Sequence, residues 1–262
     1  MINRPVLFLD SGIGGIPYCR NFHSRNPNEN IVYFADRKNF PYGNKKREEL
    51  TGILTDLLKK LIVKIDPKIV VLACNTASIV SLCSLRDSFP ELLIIGTVPA
   101  IKPAALTSKA GKIGVLGTEL TINEPYIREL AEKFGGKEII GIAAPELVEF
   151  IENKISSAAE EEKNKIAGSY LSRFRKAGVD SLVLGCTHFL FLLENFQNEA
   201  LPDIDVFDSV AGITGRIETL LEKNSHNSKN YFLLNGTDEP EQAWTVWSDY
   251  LGFEFSMFKN DG

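Results

Sequence analysis

Two of the four cysteines in this 262-residue chain stand where a thiol can react. Cys74 follows the apolar run Ile69 to Ala73 and precedes Asn75-Thr76. Cys186 follows Ser181 to Leu184 and Gly185, and precedes Thr187-His188. In both places a small residue closes a β-rich run and a helix start follows. Unpaired backbone N–H groups and the helix dipole there favour a thiolate and depress its pKa from about 8.5. Cys19 and Cys83 lie inside helical stretches without that setting and are read as structural.

Two activated thiols suit three chemistries. A catalytic disulfide normally uses close spacing such as CxxC, which is absent. Acyl transfer would pair Cys186 with His188 and leave Cys74 redundant. Proton transfer at one carbon from opposite faces uses both, one thiolate removing a proton while one thiol returns another. Only this third chemistry needs two equivalent thiols.

Other groups surround these two in the sequence. His188 is either a capping or core histidine or the group that sets the proton state of Cys186. Asp10 either caps the turn after it or serves as a base beside a thiol. Ser11, Asn75, Thr76, Thr187 and the backbone N–H groups of Tyr42-Gly43 are neutral donors that can hold carboxylates, although simple capping accounts for each one alone.

Short apolar runs position these residues. They are Val6 to Leu9, Ile31 to Phe34, Ile69 to Ala73, Leu92 to Ile95, Ile113 to Leu116, Glu138 to Ile142, Ser181 to Leu184 and Ile204 to Phe207. Helical patterns lie between them, including Arg47 to Ile65, Pro125 to Phe134, Leu147 to Ala177 and Ala211 to Leu221. Continuous Val/Ile/Leu runs suit strands buried on both faces, so the fold class is α/β with mainly parallel sheets. Ligands of such sheets bind beyond the strands' carboxyl ends. Five turns fall there: Asp10-Ser11-Gly12, Asp36 with Pro41-Tyr42-Gly43, Cys74-Asn75-Thr76, Thr118 with Thr121, and Cys186-Thr187-His188.

The text also repeats. Val70-Val71-Leu72-Ala73-Cys74-Asn75-Thr76 echoes Leu182-Val183-Leu184-Gly185-Cys186-Thr187, and Leu9-Asp10-Ser11 echoes Phe207-Asp208-Ser209. Two similar α/β domains are expected, residues 1–98 with 208–262 and residues 99–207, with the site in the cleft between them. The C-terminal helices are expected to pack on the first.

A formal charge of −5, with 29 basic residues scattered among 34 acidic ones, argues against nucleic acid and anionic membrane as partners. The first apolar run is too short for a signal peptide and no stretch suits a membrane span, so a cytoplasmic enzyme with free thiols is expected. No cysteine has zinc-finger spacing, and no metal is expected. Small α/β enzymes often form two-fold dimers, which makes a homodimer the expected assembly. One rival class is a nucleotide-binding regulatory protein using Gly12-Ile13-Gly14-Gly15, with Asp36 ending the next strand. Its third fingerprint glycine is replaced by Pro17.

The segments Phe8 to Gly15, Asp36 through Phe40-Pro41-Tyr42-Gly43, Ala73 to Ser78, Val98 to Pro103 and Leu184 to Phe189 together resemble the glutamate racemases of the aspartate/glutamate racemase superfamily. The resemblance implies interconversion of L- and D-glutamate without pyridoxal phosphate, other cofactor or metal, supplying D-glutamate for bacterial peptidoglycan. It implies that Cys74 takes the α-proton from D-glutamate and Cys186 from L-glutamate, with Asp10 and His188 assisting. Glu152 matches a further acidic helper in a Pro-x-x-Val-x-x-x-Glu stretch. The matching substrate contacts are Asp10, Ser11, Pro41, Tyr42, Gly43, Asn75, Thr76, Thr118, Thr121, Thr187 and His188. A racemase for aspartate or another small acid is the nearest rival.

Overall fold

The apolar runs become the strands of two parallel sheets, one in each of two units, Met1–Thr97 with Val210–Gly262 and Val98–Ser209. The structure, a computed structural model, describes residues 4–221, 228–236 and 242–258; the outer ends of the expected first domain lie outside them.

The first unit runs β1 (Val6–Asp10), α1 (Ile16–Arg25), β2 (Ile31–Ala35), α2 (Arg47–Ile65), β3 (Ile69–Leu72), α3 (Asn75–Ser88) and β4 (Leu93–Gly96). The second follows with α4 (Ile101–Thr107), β5 (Lys112–Gly117), α5 (Glu119–Asn123), α6 (Pro125–Lys133), β6 (Glu138–Ala143), α7 (Pro145–Lys154), α8 (Glu160–Lys176), β7 (Ser181–Leu184), α9 (Leu193–Ala200) and β8 (Asp205–Phe207). The chain then returns to the first unit through α10 (Val210–Leu220), β9 (Asn230–Leu234), α11 (Gln242–Leu251) and β10 (Glu254–Met257).

The two sheets share one plan. The first contains the order β2-β1-β3-β4 and the second is β6-β5-β7-β8, so in each unit the first strand is central, flanked by the second and third. Every residue of β1, β2 and β3 is buried, as expected for strands covered on both faces. Helix α2 buries Leu50, Leu54, Leu57, Leu58 and Leu61, whose spacing marks one helical face. Each such leucine contributes roughly 1.5–3 kcal/mol by leaving water.

Three expectations need correction. Leu147 to Ala177 is not one helix: α7 stops at Lys154 and α8 begins at Glu160. The intervening Ser156-Ser157 is a poor helix former, and Glu160, Glu161 and Glu162 favour a new N-terminus through the helix dipole. The C-terminal segment supplies strands as well as helices, β9 and β10 extending the sheet beyond β2. Both are partly exposed; β10 alternates apolar and polar residues, and β9 has only the short run Tyr231 to Leu234. Cys83 is exposed on α3, not packed in the core, whereas Cys19 is buried.

The glycine-rich turn after β1 serves packing. A Cβ on Gly15 would stand 2.6 Å from the Ala73 Cβ and 3.1 Å from the Ala73 carbonyl oxygen. The Gly12 carbonyl meanwhile accepts a 2.8 Å hydrogen bond from the Tyr33 hydroxyl. The close approach of α1 to β3 therefore accounts for this glycine without a nucleotide. Gly15→Ala should destabilise the protein by about 1–3 kcal/mol in urea unfolding. Gly52→Ala, with nothing within 4 Å of the added Cβ, should stabilise it by up to about 1 kcal/mol. Equal midpoints for the two variants would contradict the packing account.

Candidate active site

In the first unit, backbone hydrogen bonds carry the parallel register past the strand ends. Asp36 N donates to Asp10 O at 2.8 Å and Ala73 N to Leu9 O at 2.8 Å, so Asp10, Asp36 and Cys74 leave the sheet side by side. Cys74 is the extended residue that caps α3, with φ −138° and ψ 121°, and its thiol is not spent on the cap. Its carbonyl accepts from both the backbone N–H and the hydroxyl of Ser78, each at 2.9 Å. Ser78 thereby fixes the turn, a role that its place in the motif alone does not reveal.

Asn75 is 2% exposed, and both polar atoms of its amide lack a hydrogen-bond partner among the described residues. A buried amide left open in this way implies a polar ligand or water. Ser11 and Thr76 are buried alongside. Asp10 accepts from Gly12 N at 2.8 Å and from the Ser11 hydroxyl at 3.5 Å, so it does stabilise the following turn. The Phe40–Pro41 peptide is cis and leads into a 3-10 turn at Tyr42–Asn44. Tyr42 is buried and its hydroxyl donates to Asp36 at 2.9 Å. Burial, then the charge and hydrogen bond of Asp36, then the charges of Asp10 and Cys74, push the phenol pKa well above 10.0, so it remains a neutral donor.

The second unit repeats the construction with a different partner for its thiol. Gly185 N donates to Leu116 O at 2.7 Å, and Cys186 follows in extended geometry at φ −129° and ψ 135°. A Cβ on Gly185 would lie 3.0 Å from Val115 and 3.1 Å from the Leu116 carbonyl oxygen, which explains the small residue before the thiol. Cys186 does not open an α-helix as expected. It caps a 3-10 turn, Thr187–Leu192, that leads into α9. The poorer alignment of 3-10 peptides leaves less dipole for the sulfur than the α-helical cap at Cys74.

A side-chain relay stands in its place. His188 Nδ1 is 3.8 Å from Cys186 Sγ and Nε2 is 2.6 Å from Glu152 Oε1. The His188 and Glu152 side chains are 6% and 2% exposed, so the contact is screened little by water. Burial pulls the His188 pKa down, but hydrogen bonds from the ring to Cys186 and Glu152, and their charges, outweigh it and hold the pKa well above 6.5. When protonated, the ring can donate at both nitrogens. Thr118 accepts from Thr121 N at 3.3 Å, with 3.1 Å between the two hydroxyls, so both take part in capping α5. Thr187 and Thr121 are buried.

The candidate residues thus form two groups: Asp10, Ser11, Pro41, Tyr42, Gly43, Cys74, Asn75 and Thr76 in the first unit, and Thr118, Thr121, Glu152, Cys186, Thr187 and His188 in the second. Cys74 and Cys186 are both free and buried, with 9% and 6% exposure. No group of three or more His, Cys, Asp or Glu among the described residues is arranged to hold a metal. Asn39 and Asn235, both bonded to Asp36, escaped the sequence reading. Asn235 ends a strand that was itself unread.

Residues 26–214 match the family described as Asp/Glu/Hydantoin racemase. A glutamate racemase of Bartonella henselae is 37% identical over 231 residues, which are 87% of this chain and 85% of that protein. The fold superposes on Escherichia coli glutamate racemase in complex with L-glutamate and the activator UDP-MurNAc-Ala with TM-score 0.82 and 30% identity, covering 97% of this chain and 98% of the other. Glutamate racemase from Francisella tularensis in complex with D-glutamate gives TM-score 0.78 at 26% identity, covering 99% and 98%.

The relay has a consequence for stability. Because folding raises the His188 pKa above 6.5, the stability from its proton is complete below about pH 6.5 and fades as pH rises through the folded value. Glu152→Gln removes the carboxylate that holds the proton. Its unfolding free energy, measured in urea from pH 6 upward, should therefore fall less steeply with pH than that of the wild type. Parallel slopes would show that the pair does not control this proton.

Proposed function

This chain belongs to the Asp/Glu/Hydantoin racemase family, and from that premise we propose that it interconverts L- and D-glutamate by proton exchange between two cysteines. The observation that carries the reading is the repeated placement of a thiol: each follows the third strand of the same four-strand order, in extended geometry, Cys74 at the head of an α-helix and Cys186 at the head of a 3-10 turn. Acyl transfer would need one such position. Exchange at a stereocentre needs two.

In the direction from D-glutamate, the Cys74 thiolate takes the α-proton and becomes a thiol. The carbanion left on Cα accepts the Cys186 proton on its opposite face, giving L-glutamate and a Cys186 thiolate. The reverse direction exchanges the roles. The scheme requires the two units to present their sulfurs to opposite faces of one carbon. His188 donates toward the Cys186 sulfur and balances its charge once the proton has left, while Glu152 fixes the ring and supplies the counter-charge. Asp10 serves the Cys74 side.

The open amide of Asn75, the buried hydroxyls of Ser11, Thr76 and Thr187, and the Pro41-Tyr42-Gly43 turn bind the substrate's carboxylates and ammonium in this reading. It extends to a cytoplasmic homodimer that supplies D-glutamate for peptidoglycan. No described helix is long and apolar enough to cross a membrane.

Cys74→Ala and Cys186→Ala should each lower kcat for racemisation by about 10²–10⁴-fold, followed by circular dichroism of glutamate in deuterated water with mass detection of Cα deuterium. Wild-type protein that leaves L-glutamate unchanged and undeuterated sinks the assignment. Turnover of L-aspartate in place of glutamate redirects it to the rival acid, and one fully active alanine variant refutes the two-thiol scheme.

A further inference from the structure

We infer that Asn235, at the end of the C-terminal strand β9, is a positioning residue that sets substrate affinity by holding the Pro41-Tyr42-Gly43 turn through Asp36; this rests on the proposed glutamate reading. Asp36 is fully buried and accepts hydrogen bonds from three side chains. Asn235 Nδ2 reaches Oδ1 at 2.7 Å, the Tyr42 hydroxyl reaches Oδ2 at 2.9 Å, and Asn39 Nδ2 lies 3.0 and 2.8 Å from the two oxygens. One carboxylate therefore ties the end of β9 to the start and the end of the loop between β2 and α2. The loop itself forms only short 3-10 turns, Arg37–Asn39 and Tyr42–Asn44, so these bonds help to fix where it lies.

Further contacts from the same C-terminal segment act on the same loop. Asn235 N continues the ladder to Ala35 O at 3.0 Å, and its carbonyl accepts from Lys38 N at 2.8 Å. Gly236 adopts φ +62°, and a Cβ there would stand 2.9 Å from the Lys38 Cβ. The Arg37 guanidinium lies 4.0 Å over the Phe40 ring and 5.4 Å over Trp244 of α11. Asn235 is the member of this clamp whose side chain reaches Asp36, the residue that holds Tyr42. It is 5% exposed, so losing its amide takes the nearer of two side-chain donors from a buried carboxylate oxygen. Tyr42 then loses its fixed partner geometry. The chemical groups at Cys74 and Cys186 remain in place, so the effect belongs to binding more than to proton transfer.

Asn235→Ala should raise KM for glutamate about ten-fold in both directions while kcat stays within about two-fold. The rise should disappear in a Tyr42→Phe background, where Asn235→Ala adds less than two-fold, because both changes break one chain of contacts. Gly236→Ala should raise KM in the same direction by pushing on Lys38. If Asn235→Ala does not fold, Asn235→Ser, with a shorter donor, decides: a raised KM supports the assignment and a wild-type KM overturns it. A lowered melting temperature with unchanged KM, an equal loss in kcat, or additive effects with Tyr42→Phe would each overturn it. Those outcomes need an active wild type, whereas an inactive wild type overturns the glutamate reading and this inference with it.

Discussion

The hydrogen bonds that carry each parallel ladder past its last strand residue govern the rest of the molecule's chemistry. Asp36 N to Asp10 O, Ala73 N to Leu9 O and Gly185 N to Leu116 O force successive chains to leave the sheet at one level. Within each sheet the candidate thiol stands at that edge, because its parallel strands all end there. The same constraint explains the small residues. Gly15 lets α1 approach Ala73, and Gly185 lets the chain pass Val115 and the Leu116 carbonyl before Cys186. A larger side chain at either place would push the neighbouring thiol segment out of line.

On this common frame the two thiols have unlike surroundings. Cys74 stands at an α-helix cap, and its charge acts together with those of Asp36 and Asp10 on the neutral Tyr42. Cys186 stands at a 3-10 turn beside an imidazolium that is itself held by a carboxylate. Low local dielectric strengthens the His188–Glu152 contact, and the hydrogen bonds of the ring offset much of the cost of burying the charge. Repetition of the backbone therefore did not repeat the electrostatics. Under the proposed exchange such a difference is useful, since the scheme has one thiolate and one thiol acting in each direction.

The shared strand order also clarifies why local capping and function coexist. Thr118 caps α5 and Asp10 stabilises its own turn, yet both occupy the same topological position, the end of the central strand. Asn75 differs, since its buried amide has no protein partner among the described residues. Capping uses backbone groups that any helix start exposes, whereas an open buried amide is costly unless something fills the space beside it.

The central strands, the helix Arg47–Ile65 and the two strand-end cysteines were legible because they depend on local pattern: continuous apolar runs, 3.6-residue spacing, and a small residue before a thiol. The amino acid acted upon came from resemblance, not from periodicity. What depended on distant contacts was not legible. Strand β9 lies between β10 and β2 and is partly exposed, and nothing in its short run Tyr231 to Leu234 names its neighbour, so Asn235 could not be linked to Asp36 across nearly two hundred positions. The break at Ser156-Ser157 and the 3-10 turn after Cys186 were set by competition between helix starts and by packing against α7. The sequence alone determined that two thiols stand at equivalent strand ends. Only the tertiary structure decided that Glu152, thirty-six positions away, meets the histidine beside one thiol, because a hydrogen bond depends on where side chains meet and not on their order along the chain.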